Sequence, residues 1–101
     1  MRQVKLTSAA KADFATAFAW YESERPGLGE AFGRAVEAQL SVIARQPELF
    51  LAIDERFRRV VVRRYPYVLV YEHDESMLIV HAVFHTSRDP ARVRRRIGGN
   101  R

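Results

Sequence analysis

The sequence predicts an α+β fold: a helical hairpin, then a small antiparallel sheet, then a short C-terminal helix. Apolar residues recur at helical spacing over two runs before Pro47, and Pro26-Gly27 divides the runs. Between Arg56 and Arg88 the chain changes character and fills with β-branched and aromatic residues in three short runs, Phe57 to Tyr65, Tyr67 to His73 and Met77 to His85. Such residues suit a pleated, half-buried surface, and the breaks between the runs are short, so the three are expected to pair as an antiparallel meander.

In chain order, Gln3 to Leu6 alternates Val4 and Leu6 with Gln3 and Lys5, the pattern of a brief edge strand joining the later sheet. Thr7 or Ser8 is expected to cap a first helix, because a hydroxyl accepts from the free amides of the first turn. Ala10, Phe14, Ala17, Phe18 and Tyr21 form its inner stripe, which ends near Glu24. Trp20 and Tyr21 are expected to pack between helix and sheet. After Arg25-Pro26-Gly27 comes a second helix with Leu28, Phe32, Ala35, Val36, Leu40 and Ile43 on its apolar face, stopped by Gln46-Pro47. Two helices joined so tightly pack antiparallel. Glu48 to Asp54 crosses to the sheet. Pro66 and Asp74-Glu75-Ser76 then separate the three strands, since proline cannot donate to a ladder and the polar triplet suits a tight turn. Pro90 opens the last helix, where its missing amide costs nothing, and Gly98-Gly99 ends it before a frayed tail.

A chain of 101 residues with 48% apolar and 29% charged content is expected to form one globular domain, residues 1–101, with one modest core. It holds no cysteine, which excludes disulfides, thiol catalysis and cysteine-ligated zinc, and fits a reducing compartment. No signal peptide and no run long enough to span a membrane is present, so a cytoplasmic protein of bacterial type without a membrane partner is expected.

Charge is unevenly spread. Residues 1–55 carry six Lys/Arg against eight Asp/Glu, whereas residues 56–101 carry eleven Arg against four acids, a balance of +7. Every base in that second part is arginine, whose planar fork suits carboxylate and phosphate and whose face stacks on rings. An anionic partner is implied.

Five arginines at 56, 58, 59, 63 and 64, among nine positions, are the strongest local signal. On one continuous strand, Arg59 and Arg63 share one face and Arg58 and Arg64 the other. The same arginines also serve to solubilise the surface and blunt an edge strand. His85 and Arg88 end the last strand at a loop, a pairing suited to proton transfer or phosphate contact, or to capping the C-terminal turn. His81 is expected on the same face as His85, but two histidines without a third ligand or a nearby acid make a poor metal site. Tyr65, Tyr67 and Tyr71 have the spacing of core residues, and base stacking is the alternative. No glycine-rich phosphate loop, nucleophile elbow or paired-carboxylate pattern occurs, so any activity works without a cofactor.

Four stretches carry a resemblance: Ala17-Phe18-Ala19-Trp20-Tyr21-Glu22, Gly27-Leu28-Gly29-Glu30-Ala31-Phe32, Arg63-Arg64-Tyr65-Pro66-Tyr67-Val68-Leu69-Val70-Tyr71 and Ala82-Val83-Phe84-His85-Thr86-Ser87-Arg88-Asp89-Pro90. In this order and spacing the chain resembles the RelE/ParE superfamily of toxins from bacterial type II toxin–antitoxin systems, more ParE-like than RelE-like. The resemblance implies a helical hairpin packed on a small twisted antiparallel sheet, held by an acidic, partly disordered cognate antitoxin. RelE-like members cut messenger RNA on the ribosome, and ParE-like members poison DNA gyrase; some members stabilise plasmids. If the chain is a nuclease, the resemblance assigns catalysis to Arg59, Arg63, His85 and Arg88. Val68 stands where the RelE pattern has an arginine, however, and no tyrosine follows Tyr71, which favours the gyrase-directed type. For that type the expected target contacts are Arg88, Arg92, Arg94, Arg95 and Arg96. A member with weak or lost toxicity is the third expectation.

Overall fold

The computed structural model describes residues 1–98. Its elements are β1 (Gln3–Leu6), α1 (Ser8–Glu24), α2 (Leu28–Arg45), a 3₁₀ turn (Pro47–Leu49), β2 (Leu51–Ala52), β3 (Arg58–Val61), β4 (Tyr67–His73), β5 (Met77–His85) and α3 (Pro90–Gly98). The fraying expected past Gly99 lies outside the described residues.

The helices begin and end where local chemistry dictates. Thr7 Oγ1 accepts from the Ala10 amide at 3.1 Å and caps α1. Gly27 sits at φ 90°, in the left-handed region that favours glycine, and offers no side chain to cap α2. Glu22 takes that role from α1: its carboxylate accepts from the amides of Gly27 and Gly29 at 3.0–3.1 Å. The same close approach leaves no room at Gly29, where a Cβ would lie 2.9 Å from Glu22 Oε1 and 3.0 Å from the Phe18 carbonyl oxygen.

The meander is present, within a larger and mixed sheet of order β1-β5-β4-β3-β2. β1 pairs parallel to β5, Gln3 opposite Met77 through Leu6 opposite Val80, and the other pairs are antiparallel. Parallel neighbours need a long crossover, and the hairpin and meander between β1 and β5 supply one.

β3 is shorter than expected. It ends at Val61, and Arg63 and Arg64 lie in a turn closed by the Tyr65 amide on the Val62 carbonyl, with Arg64 at φ 74°. Arg63 and Arg64 therefore do not continue the faces of Arg59 and Arg58. The turn at Asp74 follows expectation, its Oδ1 accepting from the amides of Ser76 and Met77.

Two apolar layers flank the sheet. On one face Val60, Val62, Leu69, Tyr71, Leu78, Val80 and Val83 pack with Ala10, Ala17, Tyr21, Phe32, Val36 and Ile43 of the hairpin. Tyr65 and Tyr67 join Tyr21 and Phe32 there, ring centroids 5.0–6.1 Å apart, so these tyrosines build the core. Tyr71 is fully buried and its hydroxyl donates to the Pro47 carbonyl at 2.7 Å; burial pushes its pKa up to about 12. Trp20, contrary to expectation, is 55% exposed on the outer side of α1. On the other face Phe57, Val68, Val70, Ala82 and Phe84 pack with Ile97 and Val93 of α3.

An arginine cleft beneath the C-terminal helix

β5 changes face partway along. The register slips between Val70 and Tyr71, so that Ala82 faces Val70, Val80 faces Tyr71, and His81 is the extra residue. The bulge undoes the period-2 expectation for the histidines. The His81 ring meets Phe57 on the α3 side, whereas the His85 ring meets Tyr67 on the hairpin side, at 5.3 Å.

Neither histidine is idle. His85 Nδ1 accepts from the Ser87 amide at 3.0 Å and lies 2.8 Å from Ser87 Oγ, which fixes the turn after β5. His81 Nε2 lies 2.6 Å from Glu72, and Arg56 grips the same carboxylate with two hydrogen bonds of 2.8 and 2.9 Å. An acid therefore does stand beside His81, where none was expected. The Arg56 hydrogen bond, with help from His81, holds the Glu72 carboxyl below its ordinary range. Among the described residues no cluster of three or more metal-ligating side chains forms.

Beyond Val80, β1 no longer covers the outer edge of β5, and side chains replace the missing strand. Asp13 of α1 accepts from the Val83 amide at 3.0 Å. Arg96 of α3 donates to the His81 carbonyl at 3.1 Å and clasps Asp13 at 2.8 and 3.1 Å. Arg96, expected among the target contacts, is thus engaged in tying α3 to α1. Arg58 is also turned inward, donating to the Phe50 carbonyl at 2.7 Å.

The arginines that remain outward surround a cleft of about 320 Å³ between α3 and the sheet. Its floor is Ile53, Val68, Val70, Phe84 and Val93, and Arg59, Arg88 and Arg94 reach it from β3, the loop after β5 and α3. Arg88 stacks on Phe84 at 5.0 Å, and Arg96 does so at 4.8 Å. Arg88, Arg92, Arg95 and Arg96 share a second, shallower hollow beside the same ring. His85 belongs to the lining of the main cleft, with its ring directed to Tyr67. Arg63 lies elsewhere. Together with Arg59 and Arg64 it edges a separate groove of about 800 Å³ between α2 and β3, floored by Phe50, Val60 and Val62, and Leu51 and Val61 stand exposed beside it.

Of the residues expected for catalysis, the cleft brings together Arg59, Arg88 and the backbone position of His85, and it excludes Arg63. Of the expected target contacts it brings Arg88 and Arg94 to the cleft, with Arg92 and Arg95 on the adjoining hollow. Sequence reasoning missed Asp13 and Glu72. Nothing in the sequence separates them from its other ten acids, because their roles are set by partners on other elements.

No helix among the described residues is long and apolar enough to cross a membrane. A search of curated proteins finds no significant match. Among solved structures, the chain is similar to one described as the chromosomal ParDE TA system from P. aeruginosa, with a TM-score of 0.72, 13% identity, and coverage of 84% of this chain and 96% of that one. At that identity the likeness establishes the α+β fold. A family profile described as the ParE toxin of type II toxin-antitoxin system, parDE, matches residues 4–90, from β1 to the first residue of α3. The chain belongs to the ParE toxin family of type II toxin–antitoxin systems.

Proposed function

We propose that this toxin acts on DNA gyrase, binding it and stalling it on DNA, and that it is not itself an enzyme. The observation that carries this reading is the composition of the cleft. Three arginines converge there on an aliphatic floor, but the histidine at its margin has its ring against Tyr67 and Nδ1 occupied by Ser87. Cutting RNA needs a positioned group to take a proton from the attacking oxygen and another to protonate the leaving one. Binding a target needs only charge, shape and an apolar anchor. The convergence of Arg59 and Arg88 on one cleft is what keeps the ribosome-dependent messenger RNA endonuclease as the second reading, in which Arg59, Arg63, His85 and Arg88 serve the chemistry.

Expression of the chain in growing cells separates the two. Filamentation with a DNA-damage response is the expected outcome, and purified gyrase should accumulate cleaved DNA in its presence. Early loss of protein synthesis with cut messages would establish the nuclease instead, and normal growth would point to a member without toxicity. Neutralising Arg92, Arg94 and Arg95 together should relieve toxicity, whereas Arg96 is left in place because its loss would loosen α3.

The neutralising partner fits the groove between α2 and β3. An acidic antitoxin segment, partly disordered when free, would lay an amphipathic helix over Phe50, Leu51 and Val61 and set carboxylates against Arg59, Arg63 and Arg64. A strand added along the outer edge of β1 would extend the same partner. Its association should slow as salt rises, since opposite charge steers the encounter. A rate independent of salt would move the docking site away from the basic half. We place the protein in the cytoplasm, where gyrase and its DNA are found.

A further inference from the structure

We infer that the cleft under α3 takes an acidic protein segment anchored by one aliphatic side chain, so that the contact with the target is to protein and not to DNA. The inference rests on the gyrase reading and goes beyond it by naming what the cleft binds. Ile53, Val68, Val70 and Val93 give it an aliphatic floor, and at about 320 Å³ it stands near the lower end of ligand cavities, about 300–1,000 Å³. Around this floor stand Arg59, Arg88 and Arg94, and among the described residues none of the three has a carboxylate partner. Acids on the neighbouring elements are already engaged: Glu72 with Arg56 and His81, Asp13 with Arg96 and Val83, Asp54 Oδ1 with the Arg56 and Phe57 amides, and Asp89 Oδ1 with the Ala91 amide.

Nucleic acid would use this surface poorly. Single strands gain affinity by stacking bases on exposed rings. The phenyl ring of Phe84 is 4% exposed and is already covered by the guanidinium groups of Arg88 and Arg96, and the His85 ring is turned to Tyr67. Phosphates would satisfy the arginines and leave the aliphatic floor empty. A carboxylate-bearing segment satisfies both, because arginine grips carboxylate with two parallel hydrogen bonds and a buried aliphatic anchor supplies the apolar gain.

The test uses a fluorescein-labelled peptide with one leucine flanked on each side by three aspartates, its alanine analogue, and a labelled DNA duplex, each titrated into the full chain by anisotropy. The leucine peptide should bind at least tenfold more tightly than the alanine analogue, the effect of withdrawing part of a leucine from water. The exposed double variant R59Q/R94Q, checked for folding by circular dichroism, should weaken the leucine peptide by about tenfold or more, whereas R63Q/R64Q, altered only in the groove beside α2, should leave it unchanged; equal weakening by R63Q/R64Q overturns the inference. Equal binding of the two peptides, or duplex DNA that displaces the peptide and is itself weakened by R59Q/R94Q, overturns the inference. A gyrase supercoiling assay run alongside separates the two claims. Gyrase inhibition without leucine-dependent peptide binding overturns the inference and leaves the gyrase reading standing. Leucine-dependent binding with gyrase unaffected supports the cleft assignment and removes gyrase as its target.

Discussion

The two faces of the sheet are built to different ends. The hairpin face is filled by large rings: Phe32 and Tyr71 are fully buried, and Tyr21, Tyr65 and Tyr67 close around Phe32. The α3 face carries a smaller cluster of Phe57, Val68, Val70, Ala82, Phe84 and Ile97, rimmed by arginine and opened by a cleft. A dense aromatic layer resists opening, whereas a nine-residue helix held, among the described residues, by one apolar cluster, the Arg96–Asp13 pair and the Arg96 bond to the His81 carbonyl is expected to open before it. This toxin keeps its stability on one side of a shared sheet and offers its charged surface on the other.

The largest test of that division deletes a side chain on each face. Phe32→Ala removes a ring in contact with Phe14, Tyr21, Tyr65 and Tyr67 and should cost about 3–5 kcal/mol by urea unfolding, a large share of the stability of a domain this size. Ile97→Ala, equally buried but on α3, should cost about 2 kcal/mol, the low end for such truncations, because the short helix can relax around the gap. Equal losses would break the comparison.

The link between the faces comes next. Asp13→Ala leaves the Val83 amide without its acceptor and the Arg96 guanidinium with the His81 carbonyl alone, and should cost about 1.5–3 kcal/mol. Its signature should be local: amides of α3 exchange faster, while those of β4 and the hairpin keep most of their protection. Uniform loss of protection would mean that α3 is part of the main cooperative unit.

Within the hairpin, Gly29→Ala brings a methyl group to 3.0 Å from the Phe18 carbonyl oxygen, a backbone atom that cannot swing aside. Overpacking of about 1–3 kcal/mol is offset by the better helix propensity of alanine, about 1 kcal/mol, so a net loss of about 0–2 kcal/mol is expected. Gly33→Ala, where the nearest atom is the tip of Phe14 at 3.5 Å, should be neutral or stabilising.

Much of this division was legible before any coordinates. Thr7, Pro26-Gly27 and Gln46-Pro47 mark the helices because capping and proline chemistry are local, and β4 and β5 show their β-branched runs plainly. What was hidden is tertiary or runs against residue preference. The turn after β3 places Arg64 at positive φ, where glycine or asparagine would have announced it. The bulge at His81 leaves no trace in a period-2 pattern, and β2 has two residues and no pattern at all. The arginines of the cleft stand out as charges, but the sequence cannot say which are spent: Arg96 meets Asp13 across 83 positions, and Arg56 meets Glu72 across 16.

The smallest expected effect sharpens the comparison by pH. Glu72 is the carboxylate on the α3 face whose pKa is lowered, first by the Arg56 hydrogen bond and then by His81, against an opposing contribution from burial. A carboxyl whose folded pKa lies below its unfolded value, about 4.3, stabilises the fold fully above that value, and the contribution fades as pH falls through the lower folded pKa. Stability should therefore decline on acidification below about pH 4.3, and Glu72→Gln should remove part of that slope and lie below wild type at neutral pH by a small margin, since partly exposed pairs are weak. Tyr71 on the hairpin face behaves in the opposite range: burial raises its pKa to about 12, so its contribution, whole below the unfolded value of about 10, fades only as pH rises toward 12. Unfolding midpoints of wild type and Glu72→Gln measured between pH 3 and 7 should diverge at neutral pH and converge at the acid end, and curves that stay parallel throughout would show that Glu72 contributes nothing through its charge.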